Sequence, residues 1–216
     1  MGRHTTIAIR MALVTMIIFG LIYPLAMTGV SQVLFPHQAN GSLIREHGKV
    51  IGSELIGQQF TGPEYFHPRP SAAGKGYDAV ASGGSNLGPT SKVFINSVNE
   101  SIKTAMQENP GLVKGGIPAD MVTTSASGLD PDISVANAYA QVSRLAKARG
   151  VSDSSVRELV NKNTTGRTLG FMGEPRVNVL KINRELDVIC PPFDKLRVNG
   201  VIPINRNTPK TEHSEN

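Results

Sequence analysis

The chain is poor in the residues that advertise chemistry or cross-linking. Cysteine occurs once, at Cys190, so no intramolecular disulfide can form and no C-x-x-C redox or metal motif exists. Tryptophan is absent, and four tyrosines with seven phenylalanines make up the whole aromatic content of 216 residues. A base-stacking surface needs more than that, and no basic run compensates. The formal charge of +5 is spread thinly: residues 1–35 contribute +2, residues 36–192 hold 16 Lys and Arg against 14 Asp and Glu, and residues 193–216 hold 4 against 3. Nucleic acid is therefore not an expected partner. Also missing are H-E-x-x-H, G-x-S-x-G and a phosphorylatable Asp-Lys-Thr segment. His37, His47 and His67 have no metal-ligand spacing, so no metal site is expected.

What the chain has in quantity is one apolar run. Met11 to Phe35 is 25 residues without a charge, longer than the roughly 30 Å hydrocarbon core requires at about 1.5 Å per helical residue. Gly20, Pro24 and Gly29 interrupt it, as spanning helices allow, and suit close packing against another helix. The run exceeds the h-region of a signal peptide and no A-x-A site follows, so an uncleaved anchor in the lipid bilayer is expected. Arg3 and Arg10 precede the run, and the first charge after it is Arg45. The positive-inside rule then places residues 1–10 in the cytoplasm and the body outside it.

Beyond the anchor, Pro36 to Gly48 reads as a polar connector and Val50 to Gly57 as a strand. Thr61 to Pro89 is long, irregular and rich in Gly, Pro and Ser, which points to a functional or interfacial loop. Val93, Phe94, Val98 and Ile102 form a helical stripe that Asn109-Pro110-Gly111 ends. A second loop runs from Gly115 to Pro131. Ser134 is the expected N-cap for a helix from Val135 to Arg149 with Gly150 behind it, and Asp153 or Ser154 caps a further helix to about Asn161. Val177, Val179, Leu180 and Ile182 suggest a final strand between Pro175 and Asn183, and residues 190–216 read as a disordered tail. The expected fold class is α+β: a transmembrane helix at 11–35, one mixed extracytoplasmic domain at 36–189, and the tail.

Candidate sites are few. Gly83 and Gly88 have the glycine spacing of a phosphate loop around Ser85 and Asn86, but Pro89 stands where the lysine belongs and no strand precedes it. A rigid loop in which Gly84 and Gly88 permit close backbone approach is the simpler expectation. Asp130-Pro131-Asp132 offers two carboxylates for acid–base work, although the proline favours a turn into a helix. Gln141 and Arg144 share a helix face with Arg149 at its end; they suit an anion, another subunit or plain solvent. Ser125 or Ser127 is the only serine nucleophile suggested by its loop, in an anchored extracytoplasmic hydrolase or binding domain, yet no histidine lies between His67 and His213.

Taken together, several blocks resemble one family. They are the span ending Tyr23-Pro24, Ile51-Gly52-Ser53 to Gly57-Gln58, Tyr65-Phe66-His67-Pro68-Arg69-Pro70-Ser71, and Ser82-Gly83-Gly84-Ser85-Asn86-Leu87-Gly88. Further along come Ser125-Ala126-Ser127-Gly128-Leu129-Asp130-Pro131, the Gln141, Arg144 and Ala148-Arg149-Gly150 pattern, and Leu169-Gly170 to Leu180 through Gly173-Glu174-Pro175-Arg176-Val177-Asn178-Val179. Over about residues 7–187 the chain is similar to KdpC, the C subunit of the bacterial Kdp potassium-transporting ATPase. The resemblance implies a non-catalytic, single-pass subunit of the inner membrane. Its implied partners are a channel-like potassium-selective subunit, a P-type catalytic subunit and a small single-span subunit. It also implies support of assembly and turnover and an increase in the catalytic subunit's ATP affinity. No cofactor is expected to be held firmly by this chain, and ATP is expected to act through the catalytic subunit. Ser85, Asn86, Ser125, Ser127, Asp130, Gln141, Arg144 and Arg149 are the implied nucleotide or partner contacts.

Overall fold

The computed structural model describes residues 2–46 and 48–189. The expected tail lies outside them. The chain divides into two compact units, residues 1–56 and residues 57 onward.

In the first unit, α1 (Gly2–Ile17), a π-helical turn (Ile18–Ile22) and α2 (Tyr23–Leu34) form one uninterrupted 33-residue helix. The irregularity falls in the turn before Pro24. Proline has no N–H and its ring crowds the carbonyl four residues back, so the preceding turn widens. The Tyr23 N–H reaches five residues back to Ile18 O, the signature of a π turn. No side chain of this helix is buried within the chain. The stretch after it is more than a connector: a short helix α3 (Pro36–Ala39) leads to β1 (Leu43–Glu46), which pairs antiparallel with β2 (Lys49–Ser53). The single expected strand is thus the second arm of a hairpin and stops at Ser53. There the Ser53 hydroxyl donates to Gly41 O at 2.7 Å and the Glu54 N–H to Ser42 O at 3.1 Å.

The second unit is a three-stranded antiparallel sheet covered by helices. The strand order is β3 (Asp132–Ser134), β5 (Arg176–Asn178), β4 (Thr164–Thr165). Two strands run directly into helices, each under a polar cap. Ser134 Oγ accepts from Asn137 N at 3.0 Å and starts α6 (Val135–Ala140); Asn178 Oδ1 accepts from Lys181 N at 3.1 Å and starts α9 (Val179–Ile189). The expected final strand is therefore three residues long and then a helix. Val179, Leu180, Ile182, Asn183 and Leu186 are its buried face, at helical spacing. The expected helix from Val135 to Arg149 breaks at Gln141 into α6 and α7 (Val142–Arg149), and α8 (Asp153–Lys162) is capped by Ser152 and not by Asp153 or Ser154.

The core joins Phe66 to Ile133, Val142, Leu145, Val156, Val160, Val177, Ile182 and Leu186. Phe66 comes from the long irregular stretch, is fully buried, and contributes about 1.5–3 kcal/mol by leaving water. The stripe on α4 (Lys92–Glu108) behaves differently. Ser91 caps this helix as a polar residue before an apolar run should, but only Ala105 is buried, and Val93 faces outward. The second loop contains a 3₁₀ turn (Lys114–Gly116) and a one-turn helix α5 (Ala119–Val122). The Asp120 carboxylate of α5 accepts from Ser134 N, Ser134 Oγ and Asn137 Nδ2 at 2.8–3.0 Å, which ties the loop to the start of α6.

Candidate functional site

A chain segment without regular structure cannot satisfy its own backbone groups, so burying one requires donors and acceptors from elsewhere. Residues 63–67 show how this chain supplies them. Arg144 Nη1 donates to Pro63 O at 2.6 Å and to Tyr65 O at 2.9 Å, and Arg149 Nε donates to Glu64 O at 2.7 Å. The Asn183 amide accepts from Phe66 N at 2.8 Å and donates to Phe66 O at 2.9 Å. The Gln141 amide does the same for His67, at 2.7 Å from N and 3.1 Å from O. Two side-chain amides thereby stand in for a neighbouring strand.

The donors are themselves fixed. Arg144 also reaches Asn109 Oδ1 at 3.0 Å and Gln141 Oε1 at 2.6 Å; Gln141 Nε2 holds Asn137 Oδ1 at 2.8 Å. Arg149 pairs with Asp187 at 2.9 Å and lies over the Tyr65 ring, 5.0 Å from its centre. Burial lowers the Arg144 pKa from its ordinary value to about 10, against the opposing pull of Glu108 and Glu64. The solvated face that the spacing of Gln141, Arg144 and Arg149 suggested is corrected here: all three are buried, with exposures of 1%, 7% and 3%, and their polar groups bind the chain's own backbone.

The same strand of chain continues to a second cluster. Arg69 donates to Asp130 Oδ2 at 2.9 Å and to Thr124 O at 3.3 Å, and Ser71 Oγ donates to Gly128 O at 2.6 Å. Asp130 Oδ1 accepts from Asp132 N at 3.1 Å, an Asx turn, while Asp132 pairs with Arg176 at 3.0 Å. Desolvation raises the Asp132 pKa, and Arg176 works against it. The turn expected at Asp130-Pro131-Asp132 forms, but it leads into strand β3 and not directly into a helix, and each carboxylate has a cationic partner.

The glycine-rich loop lies on this turn. Gly83 N donates to Ser127 O at 2.8 Å, Ser82 Oγ to the same oxygen at 3.0 Å, and Thr124 Oγ1 to Ser85 Oγ at 3.4 Å. Gly83 thus spends on the chain an N–H that a phosphate loop would offer to its anion. Gly128 has φ +68, and a Cβ there would lie 2.6 Å from Gly83 O. A Cβ on Gly84 would lie 2.9 Å from Ala126 O, as close approach requires, but one on Gly88 would meet nothing within 4 Å. The expectation for Gly88 is therefore corrected. Asn86 takes the left-handed φ of 51 in this loop.

Catalysis by serine finds no support in this geometry. Ser127 Oγ accepts from Leu129 N at 3.1 Å, and Ser125 Oγ is buried without a hydrogen-bond partner among the described residues, so none of these is placed as a base to take its proton. His67 is engaged with Gly62 O at 2.9 Å and Glu108 at 3.2 Å. It lines a cleft of about 300 Å³ with Pro68, Ser101, Thr104 and Glu108 under α4.

Of the implied site residues, the fold gathers Ser85, Ser125, Ser127 and Asp130 around one turn and Gln141, Arg144 and Arg149 around residues 63–67. The 63–71 segment joins the two groups. Asn183, Asn137 and Asn109 were not anticipated. Asn183 had a signal, since a lone polar residue inside the apolar face of α9 needs a partner.

A family model described as KdpC, K+-transporting ATPase, c chain, matches residues 5–188. Similar curated proteins carry the description potassium-transporting ATPase KdpC subunit. One from Koribacter versatilis is 51% identical over 191 residues, spanning 88% of this chain and 97% of its own length. One from Caulobacter vibrioides is 56% identical over 190 residues, at 86% and 95%, and one from Rhodospirillum rubrum 58% over 172, at 80% and 89%.

Proposed function

The chain belongs to the KdpC family, and from that premise we propose that it is the non-catalytic accessory subunit of an ATP-driven potassium importer. The observation that carries the non-catalytic part is the use of the polar residues. The charged and amide side chains that looked most like a site are engaged within the chain: Arg144, Arg149 and Gln141 hold residues 63–67, and Asp130 holds Arg69. What such a body offers is a rigid outer surface, which suits docking on a channel-like and a P-type subunit. Any influence on ATP use is exerted through the catalytic subunit, with no nucleotide held by this chain.

One helix among the described residues, Gly2–Leu34, is long and apolar enough to cross a membrane, and a single helix cannot enclose an ion path. We read it as an uncleaved anchor with its N-terminus in the cytoplasm, because Arg3 and Arg10 lie on that side of the run. A Cβ on Gly29 would meet nothing within 4 Å, and one on Gly20 only Met16 at 4.0 Å, so neither glycine is needed by the chain itself. Both leave room for a neighbouring helix, such as the small single-span subunit.

Purification from native membranes in mild detergent tests this reading. The chain should bring channel-like and ATP-hydrolysing subunits with it, with its N-terminus intact, and a reporter fused after Asp187 should signal an extracytoplasmic location. A chain that purifies alone would refute complex membership, and a cytoplasmic reporter signal would reverse the orientation.

A further inference from the structure

The β4–β5 hairpin carries an extension, residues 166–175, whose tip is closed by its own hydrogen bonds and is not covered by any of the described residues. Thr168 and Met172 exchange both backbone hydrogen bonds at 2.9 Å, and Phe171 N donates to Thr168 O at 3.3 Å. Leu169 and Gly170 both have positive φ, 54 and 83, the pattern of a type I′ turn. Such turns favour Asn-Gly, because a branched apolar residue at positive φ is strained. Here the first position is leucine. Its side chain is little covered by the described residues, being 79% exposed, and Phe171 and Met172 beside it are 71% and 52% exposed. Three apolar side chains thus point outward from a rigid base.

We propose that this tip is a docking plug, seating Leu169, Phe171 and Met172 in an uncharged apolar socket on a neighbouring protein subunit. The proposal rests on the reading of the chain as part of a potassium-transporting complex. Two observations favour a protein socket over a bilayer surface. Arg167 is the sole cation between residues 166 and 175, and both Glu174 oxygens hold it at 2.8–2.9 Å, so the base of the tip has no spare positive charge for lipid phosphate. The backbone is also fixed before binding. A bilayer takes apolar side chains in any arrangement, whereas a shaped pocket benefits from preorganised ones.

The turn chemistry separates folding from docking. Leu169→Asn suits the turn better than the native residue, and Phe171→Ser removes a side chain that this chain does not bury. In the full chain, both variants should keep or raise the thermal midpoint. In the assembled complex, the double variant should weaken association by about tenfold or more, measured as subunits retained after mild-detergent purification. A photo-reactive amino acid in place of Phe171 should give an adduct with another polypeptide. Retention equal to wild type, or an adduct with lipid alone, would overturn the plug. If the wild-type chain itself retained no partner, the complex reading would fall, and the plug with it.

Discussion

Residues 63–71 and residues 168–172 are both irregular in the sequence, yet the fold treats them in opposite ways. The first segment turns inward. Its backbone is held by Arg144, Arg149, Gln141 and Asn183, and Phe66 fills the core. The second makes its hydrogen bonds within the tip and turns its apolar side chains out. The difference teaches that buried polar side chains here serve to fix irregular backbone, while a segment that satisfies its own backbone is free to expose apolar side chains.

The strongest way to break the inward side is Arg144→Ala. It leaves the carbonyls of Pro63 and Tyr65 and the side chain of Asn109 without their donor, and should cost about 3–5 kcal/mol of stability in denaturant unfolding. Arg144→Lys should rescue little, because one ammonium cannot reproduce the fork. Next come Asn183→Ala and Gln141→Ala, each orphaning a backbone N–H and C=O, at about 1–3 kcal/mol apiece. Their sum should exceed the double variant, since both hold the same segment.

Gly84→Val should cost about 1–3 kcal/mol and Gly88→Val less than about 0.5, a contrast readable in thermal midpoints. A smaller effect concerns pH. Burial pushes the Tyr77 phenol up to about 12, and its hydroxyl donates to Arg69 O. An unfolded phenol ionises near 10. The folded state therefore keeps the proton longer, and Tyr77 contributes a stability that is complete below about pH 10 and lost as pH rises through about 12. Tyr77→Phe should flatten that part of the alkaline unfolding profile, with the phenolate absorbance tracking the wild-type loss.

Much of this was legible from residues alone. The apolar run, the Ser134 cap and the turn at Asp130-Pro131-Asp132 follow from local chemistry, and the helix at Lys92–Glu108 appeared where its spacing put it. Local rules failed where long-range pairing decided. Val177 and Val179 alternate like a strand, but Asn178 caps a helix between them, so the period changes inside the segment. Gln141 interrupts one helix where its side chain pairs with His67, 74 residues away in sequence. No local pattern announces such a partner. The tip is not legible in the sequence for the opposite reason: exposure of Leu169 and Phe171 is a property of the fold, and the residues themselves would be equally at home in a core.

The accessory role is tested most directly by potassium-stimulated ATP hydrolysis in the purified complex, measured with the full chain and with a form that keeps residues 1–56 but lacks 57–189. The account predicts that the shortened form sharply reduces hydrolysis while the catalytic subunit remains folded and present. Hydrolysis and potassium uptake at the full rate without residues 57–189 would contradict it.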